Sequence, residues 1–270
     1  MPDTHTDVVE YWNSRAHLGE MAGTNDIIAK QLEMQTLARQ IERHEFEPGS
    51  LIVDAGCGNG LTLVYLAQRF PQYRFMGIDN SPEMVNAAKA YAESEDLETP
   101  IDFQQASVMD WEPNERPDCI YTERTLINLP DSEAQGKAIK HLCSCVKHRG
   151  IYMMMENFSE PLERLNALRM QFGLDIIVPP WHNRYMSMRW LYDLIDTMDS
   201  ELAYWLTVHH YSDEYYYLSR IVNAFAASLE GHEPEYDSDI NRVALVKHSP
   251  VEFDNGLGQG ILYTFRGMVE

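Results

Sequence analysis

The stretch LIVDAGCGNGLTLVYLAQRF, residues Leu51–Phe70, decides the fold of this chain. An apolar run of strand length ends in a glycine-rich turn, after which apolar residues return with helical spacing. Such a strand–loop–helix unit is typical of proteins that hold a nucleotide. Glycines occupy the first, third and fifth loop positions, and Leu61 occupies the sixth, where the dinucleotide pattern needs a glycine for close helix–strand packing. The loop therefore disfavours a nicotinamide dinucleotide.

Strands and helices alternate outward from this unit, which predicts a doubly wound, mostly parallel α/β sheet. The predicted strands are SLIVDAG, YRFMGID, IDFQQAS, DCIYTE, GIYMMMEN, LAYWLTVHH and GILYTFRGM. Residues 1–48 are predicted to form a helical lid, residues 49–158 the nucleotide-binding core, and residues 159–270 a cap whose last strands complete the sheet. An amphipathic helix is predicted within residues 24–44, and Thr24, Asn25 or Asp26 could cap its beginning. A helical insertion is predicted within residues 214–230, followed by a polar loop.

The composition restricts the partners of the protein. The 270 residues carry a net charge of −21, which repels a phosphate backbone and predicts that no nucleic acid is bound. No apolar run is long enough for a membrane helix, and the first residues lack the features of a secretion signal. Four cysteines do not form a disulfide framework, and Cys143 and Cys145 lack zinc-site spacing. We therefore predict a cytoplasmic protein without a metal, and leave its oligomeric state open, a homodimer included.

Two carboxylates describe the expected ligand. Asp54 lies two positions before the first glycine, where a negative charge disfavours pyrophosphate but suits an ammonium group. Asp79 lies 25 residues further on, at the end of the second predicted strand, where a carboxylate can accept both hydroxyls of a ribose. The predicted ligand has a ribose, an adenine-like base and a cationic amine, but no phosphate.

The segments VDAGCGNG and GIDNSPEMVNAAK resemble the class I S-adenosylmethionine-dependent methyltransferases, over roughly Leu51–Phe158. The resemblance implies a seven-stranded sheet with an antiparallel last strand, and S-adenosyl-L-methionine as the cofactor. The family motif Asp-x-Gly-x-Gly-x-Gly falls on Asp54, Gly56, Gly58 and Gly60, and its ribose acid falls on Asp79. Other residues that the resemblance assigns to the cofactor are Asn80, Met84 against the base, and Ser107 and Val108. Ala106-Ser107-Val108 replaces the usual Gly-Asp-Ala, so the Ser107 side chain and the Val108 backbone are expected at the adenine edge.

Further candidates lie near the methionine part of the cofactor. Tyr11 and Arg15 are four residues apart, hence on one helix face, and we expect them to reach the methionine carboxylate as part of the lid. Glu123 follows the fourth strand, where the family faces the methionine part of the cofactor and the acceptor. Glu156 ends the fifth strand and is predicted to touch the acceptor.

Methyl transfer needs mainly alignment, and a base only when the acceptor must lose a proton. Three histidines in aromatic clusters of the cap are the predicted bases: His182, His209 and His210. His209 and His210 are adjacent on a strand and point to opposite faces, so only one of them is expected to face the pocket.

The acceptor is predicted to be a small molecule that is methylated on oxygen or nitrogen. Arginines of the cap could surround an anionic group, and its tyrosines could equally hold a cationic amine through cation–π contact. The arginines are Arg164, Arg169, Arg184 and Arg220. Two alternatives remain: a cofactor-binding, catalytically inactive partner subunit of this fold, or a nicotinamide-dependent oxidoreductase.

Overall fold

One open seven-stranded sheet forms the centre of the protein. The computed structural model describes residues 4–198, 204–246 and 255–267. The strand order is β3-β2-β1-β4-β5-β7-β6. The strands are β1 Leu51–Ala55, β2 Arg74–Asp79, β3 Asp102–Gln105, β4 Cys119–Glu123, β5 Ile151–Asn157, β6 Tyr204–His209 and β7 Gly260–Gly267. Strand β7 runs antiparallel to both β5 and β6, whereas the pairs among β1 to β5 are parallel. The predicted doubly wound sheet with an antiparallel last strand is confirmed.

Ten α-helices are found in the described part of the chain, and polar caps fix several of their beginnings. They are α1 Thr4–Arg15, α2 Ile27–His44, α3 Leu61–Arg69, α4 Pro82–Ser94, α5 Ser132–Cys145, α6 Ser159–Gln171, α7 Met188–Thr197, α8 Asp213–Tyr217, α9 Ala224–Glu230 and α10 Asp239–Val246. Asp26 caps α2 by accepting the N–H of Ala29, and Ser81 caps α4 in front of Pro82. Asp26 is thus the cap among the three residues, Thr24 to Asp26, that the sequence pattern offers.

The sheet is buried on both faces, which explains the nearly continuous apolar character of its central strands. In β5, Met153 and Met155 pack with α2 and α3, whereas Tyr152 and Met154 pack on the opposite face with α5 and α7. Successive side chains of a strand point to opposite faces, so a five-residue apolar run serves two helical layers. This arrangement leaves the carboxyl ends of β1, β2, β4 and β5 as the edge where polar side chains gather.

Two helices of the cap differ from the prediction. The alternation of strands and helices becomes irregular after residue 158, and the sequence predicts a polar loop before the last strand, but α6 and α10 lie in these two regions. Helix α6 has only a weak apolar stripe, since Pro161, Leu162 and Leu165 are its buried residues. Helix α10 buries Ala244 against Ile28 and Tyr215. Both helices are stabilised by tertiary packing, which local sequence patterns do not reveal.

The helical insertion of the cap contains a π turn. Between α8 and α9 the backbone of Leu218–Asn223 forms a π-helix, so the three pieces make one continuous helical segment. The side chain of Arg220, inside this turn, lies against the rings of Tyr216 and Tyr236, with its guanidinium carbon 5.3 and 4.4 Å from the two ring centroids. π turns occur mostly as single interruptions of α-helices, often at functional sites.

The N-terminal segment lies over the sheet edge that carries the glycine loop. Helix α1 is followed by a 3-10 turn, Ala16–Met21, and Asn59 of the loop donates to the carbonyl of Gly19 at 2.7 Å. Ser81 donates to the side chain of Asn13 at 2.6 Å. Within residues 4–198, 204–246 and 255–267, no helix is both long and apolar enough to cross a membrane. The division into lid, core and cap stays a prediction.

Candidate active site

A cavity of about 470 Å³ opens at the carboxyl ends of the central strands. Its floor is formed by residues that end or follow β1, β2, β4 and β5, and its walls by α1, the segment 177–185 and the helix that carries Arg220. Ligands of open α/β sheets bind at this end of the strands. The topology therefore places the cavity where a nucleotide ligand is expected.

Eleven of the twelve predicted cofactor residues line this one cavity. They are Tyr11, Arg15, Asp54, Gly56, Gly58, Asp79, Asn80, Met84, Ser107, Val108 and Glu123. Gly60 is not among the lining residues; it caps α3 with a left-handed backbone, and a Cβ there would lie 3.1 Å from the Cβ of Ala88. Residues from five separate segments of the chain thus meet in one cavity. The role of each residue stays a prediction.

The glycine loop is held in one shape by the sheet beside it. The N–H of Gly56 donates to the carbonyl of Ile78 at 2.7 Å, and its φ is +97°. A Cβ at Gly56 would come within 2.2 Å of Oγ1 of Thr125, so no other residue fits without displacement of the β4 loop. The loop thereby brings its backbone close to the cavity.

Asp79 is oriented by backbone N–H groups on two sides. Its Oδ2 accepts from Gly58 and its Oδ1 accepts from Ser81, each at 2.8 Å. Burial raises the pKa of this carboxyl, and the two N–H groups act in the opposite direction. Each oxygen keeps a further lone pair, so the carboxylate is ready to accept two hydroxyls from the cavity.

Asp54 has an oxygen that makes no hydrogen bond of ordinary geometry, although the phenol of Tyr121 lies beside its carboxyl group. The residue is 2% exposed, lines the cavity, and its Oδ1 makes no hydrogen bond. Burial, together with Glu123, raises the pKa of Asp54 well above its ordinary value. A cationic group beside Oδ1 would satisfy the orphaned oxygen and favour its ionised form. These residues therefore fit the predicted cofactor. Asp54 suits its ammonium group, Asp79 suits its ribose, and the glycine loop with Asp54 beside it suits a ligand that has no phosphate.

Glu123 is already engaged with protein groups. Its oxygens accept from the Lys30 ammonium at 2.6 Å and from the Thr62 hydroxyl at 2.7 Å. Burial disfavours the charge of Glu123, but Lys30 and Arg124 lower its pKa below the ordinary value. The carboxylate thus connects α2 to the end of β4 and contributes a negative charge to the cavity wall.

Glu156 is fully buried and is absent from the cavity lining. Its Oε1 accepts the N–H groups of Thr125 and Leu126 at 3.0 Å, and its Oε2 accepts that of Ile127 at 3.3 Å. Burial raises the pKa of Glu156 to about 7. The geometry gives Glu156 the task of holding the loop after β4, and its predicted contact with the acceptor has no direct path in this structure.

The three candidate histidines lie in different surroundings. His182 lines the cavity, is 7% exposed and stacks on Tyr11 with ring centroids 4.2 Å apart. Burial, and then the positive charge of Arg15, lower the pKa of His182 to about 4, and its Nδ1 has no partner. His209 pairs with Leu262 in the sheet, and His210 follows it; neither lines the cavity. Of the three, the structure brings His182 alone to the site.

A second half of the cavity is lined by further charged residues, and of the four cap arginines named above only Arg220 is among them. Glu33 is a buried residue of α2, and burial raises the pKa of its carboxyl well above the ordinary value. Asp26, at the beginning of the same helix, pairs with Arg220 at 2.6 Å. The remaining lining residues of this half include Lys30, Arg124, Tyr185, Tyr216 and Tyr236. The sequence offers one signal for Glu33. Its carboxylate lies between Leu32 and Leu37, within the apolar stripe of α2.

Comparison with known proteins identifies the core. Residues 52–150 match the family model described as a methyltransferase domain. Trans-aconitate 2-methyltransferase of Methylobacterium radiotolerans is 28% identical over 182 residues, which is 64% of this chain and 66% of that protein. The enzyme of the same name from Azoarcus is 27% identical over 180 residues, covering 63% and 64%. The chain thus spans just under two thirds of the length of these curated relatives.

Solved structures show the same fold. Magnesium protoporphyrin IX methyltransferase from Synechocystis, with bound S-adenosylhomocysteine, superposes with a TM-score of 0.58 at 18% identity, over 75% of this chain and 90% of that one. A chain of the Haloferax volcanii complex between the Trm112 methyltransferase activator and a methyltransferase gives 0.60 at 17% identity, over 96% and 98%. The resemblance predicted from the sequence is confirmed.

Proposed function

We propose that this chain, whose residues 52–150 match a methyltransferase domain, transfers the methyl group of S-adenosyl-L-methionine to a small-molecule acceptor and releases S-adenosyl-L-homocysteine. The observation that carries the proposal is the single cavity that joins two sets of residues. One set, with Asp54, Asp79 and the glycine loop, fits the cofactor. The other set provides further enclosed space beside it, lined by side chains from α2, the β4 loop and the cap.

The cofactor half supplies position and charge. In the proposed arrangement Asp79 accepts the ribose hydroxyls, Asp54 faces the ammonium group, and Met84 packs on the base. When bound, the cofactor supplies a methyl group already activated by its sulfonium, so the protein needs to align the acceptor and exclude water. Tyr11 and Arg15 on α1 close this half from outside. Arg15 donates to the carbonyls of Met21 and Ala22 at 2.7 and 2.6 Å, which ties α1 to the segment that follows it.

Relatives and cavity together favour O-methylation. The curated relatives are named for trans-aconitate, which is a small tricarboxylate. An anionic oxygen needs no base, whereas a hydroxyl must lose its proton. For a hydroxyl acceptor we propose His182 as the proton acceptor, because its imidazole lines the cavity and its Nδ1 is unpartnered. Its lowered pKa keeps the ring neutral throughout the neutral range but makes it a weak base.

Calorimetry and methyl transfer test the proposal in two steps. Titration with S-adenosyl-L-methionine, S-adenosyl-L-homocysteine and NADH is expected to show binding of the first two ligands only. Incubation with methyl-labelled cofactor and a low-molecular-weight metabolite extract is then expected to label a small product. Binding of the cofactor without transfer to any fraction would favour the inactive partner subunit, and binding of NADH would favour the oxidoreductase.

A further inference from the structure

We call the half of the cavity that is lined by Glu33, Arg124 and Arg220 the acceptor half. Its Arg220 is buried and has an N–H group without a hydrogen-bond partner. The Arg220 side chain is 13% exposed, and its Nη2 lies 2.6 Å from Oδ2 of Asp26. Its Nη1 is buried and has no hydrogen-bond partner. The π turn and the stacking on Tyr216 and Tyr236 fix the guanidinium in place. An unpaired guanidinium N–H inside a protein leaves a desolvated donor, which a bound acceptor atom would satisfy.

A second arginine of the same cavity shows the same deficit. The Nε atom of Arg124 is buried and makes no hydrogen bond, although it lies 3.2 Å from Oε1 of Glu33. The Arg124 backbone is anchored, because its N–H donates to the carbonyl of Met155 at 2.8 Å and its φ is +53°. The phenol groups of Tyr185 and Tyr216 lie near both arginines. Two guanidinium groups thus surround one space rather than two separate sites.

Three basic side chains and three carboxyl groups meet around this space. The ammonium of Lys30 and the two guanidinium groups face the carboxylates of Glu123 and Asp26. The carboxyl of Glu33 is held neutral, because burial outweighs the attraction of Arg124 and raises its pKa. The carboxyl of Glu33 also shares a hydrogen bond with Glu123, which raises the pKa of Glu33 further. In a chain of net charge −21, two buried guanidinium groups that line one cavity are a specific feature.

We propose that this arginine pair, Arg124 and Arg220, binds a carboxylate of the methyl acceptor. The inference rests on the proposed function and names the chemical class of its substrate. A carboxylate matches the planar N–H faces of two guanidinium groups. A cationic amine would meet the two arginines with like charge. Tyr185 and Tyr216 then enclose the bound group.

Calorimetry with simple probes tests the proposal. Malonate, citrate and trans-aconitate are titrated into the protein, both free and saturated with S-adenosyl-L-homocysteine, alongside inorganic phosphate and the neutral malonamide. At least one carboxylate is expected to bind with a Kd below about 1 mM, and malonamide is expected not to bind. Binding of none of the three carboxylates, or tighter binding of phosphate than of every carboxylate, overturns the proposal.

Variants assign the binding to the arginine pair. Arg220→Gln is combined with Asp26→Asn so that no unpaired carboxylate remains, and the double variant is expected to bind the carboxylates about 10–100-fold more weakly. Arg124→Gln is expected to act in the same direction. Asp26→Asn alone keeps the guanidinium and frees it from its partner, so it retains or strengthens binding. Arg74→Gln removes an exposed arginine that pairs with Glu115 elsewhere on the molecule, and is the matched control.

The affinity for S-adenosyl-L-homocysteine distinguishes a variant that has lost its fold from one that has lost carboxylate binding. Unchanged affinity for S-adenosyl-L-homocysteine shows that a variant is folded around the cofactor half. Loss of carboxylate binding in Arg124→Gln and in the double variant, with that affinity intact, supports the proposal. Carboxylate affinity equal to that of the parent in both variants contradicts it. A parent protein that does not bind S-adenosyl-L-homocysteine contradicts the proposed function instead, and the titrations of the free protein still answer the question of the carboxylate.

Discussion

The two halves of the cavity are built by different means. In the cofactor half the protein presents backbone and short side chains from consecutive strand ends: the glycine loop after β1, Asp79 at the end of β2 and Ser107 after β3. In the acceptor half it presents charged side chains from distant parts of the chain, such as Asp26 and Arg220, whose separation is 194 residues. A ligand common to a whole family can be held by backbone geometry, whereas an individual acceptor requires side chains.

The largest effect is expected at the ribose site. Asp79→Ala removes two hydrogen bonds to a charged acceptor, each worth roughly 1.5–3 kcal/mol, so affinity for S-adenosyl-L-methionine should fall a hundredfold or more. Calorimetric titration measures this loss. Asp102→Ala, which removes an exposed carboxylate from the neighbouring strand β3, is the control. An Asp79→Ala variant that binds as tightly as the parent would show that the cofactor half is misassigned.

A second experiment asks whether the acceptor half includes a base. For a hydroxyl acceptor, His182→Ala should lower turnover by about 10²–10⁴, whereas His209→Ala and His210→Ala, which lie outside the cavity lining, should retain it. Since the folded pKa of His182 is about 4, turnover should not rise between pH 5.5 and 8 through this group. Steady-state kinetics across pH decides the point. Full turnover in His182→Ala means that the acceptor arrives as an anion or a neutral amine.

A third experiment uses pH to distinguish the halves. Burial raises the pKa of Glu33 to about 8, so its neutral form favours a bound carboxylate below that pH and its ionised form opposes it above. Carboxylate affinity should therefore fall by up to about tenfold from pH 7 to pH 9. The shifted groups that face Glu33 keep their charge states in this range, because the pKa of Glu123 is lowered and the pKa values of Arg124, Tyr185, Tyr211 and Tyr216 are raised.

Glu33→Gln keeps the shape of the side chain and removes its titration. Carboxylate affinity in this variant should be flat across the same range, and affinity for S-adenosyl-L-homocysteine should be close to that of the parent at pH 7. If carboxylate affinity has the same pH dependence in the parent and in Glu33→Gln, then Glu33 does not control it.

The smallest effect is expected in the N-terminal segment. We predict that residues 1–23 form a lid that becomes more protected when the cofactor binds, because Tyr11 and Arg15 line the cavity and Asn59 donates to Gly19. Hydrogen exchange with and without S-adenosyl-L-homocysteine should show slower exchange along α1 in the complex, with α5 as the internal reference. Equal exchange along α1 in both states would show that α1 is packed on the core with or without the cofactor and is not a lid.

The sequence predicted the cofactor half well because its signals are local. Asp54, the glycines and Asp79 are recognisable from a turn and a strand end that follow each other within one βαβ unit. The acceptor half had weaker signals: Arg220 is only one of four cap arginines, and the place of Glu33 depends on which face of α2 meets the loop after β4. Residue type and proximity to aromatics alone favour His209 and His210. The register of β6 against β7 carries them away from the cavity, which no local pattern could have shown.

The π turn at Leu218–Asn223 makes acceptor recognition depend on the length of the chain as well as on its composition. A π turn holds one residue more than the α-helical turn it replaces. Deletion of Ser219 would restore the α-helical repeat and rotate all earlier residues by about 100° relative to Ile221 and its successors. Tyr216 and Tyr236 would then no longer sandwich the same guanidinium, although no side chain of the pocket had been substituted. Related chains that lack this one residue should differ in acceptor while they keep the same cofactor, which makes an insertion or deletion here a direct route to a new substrate.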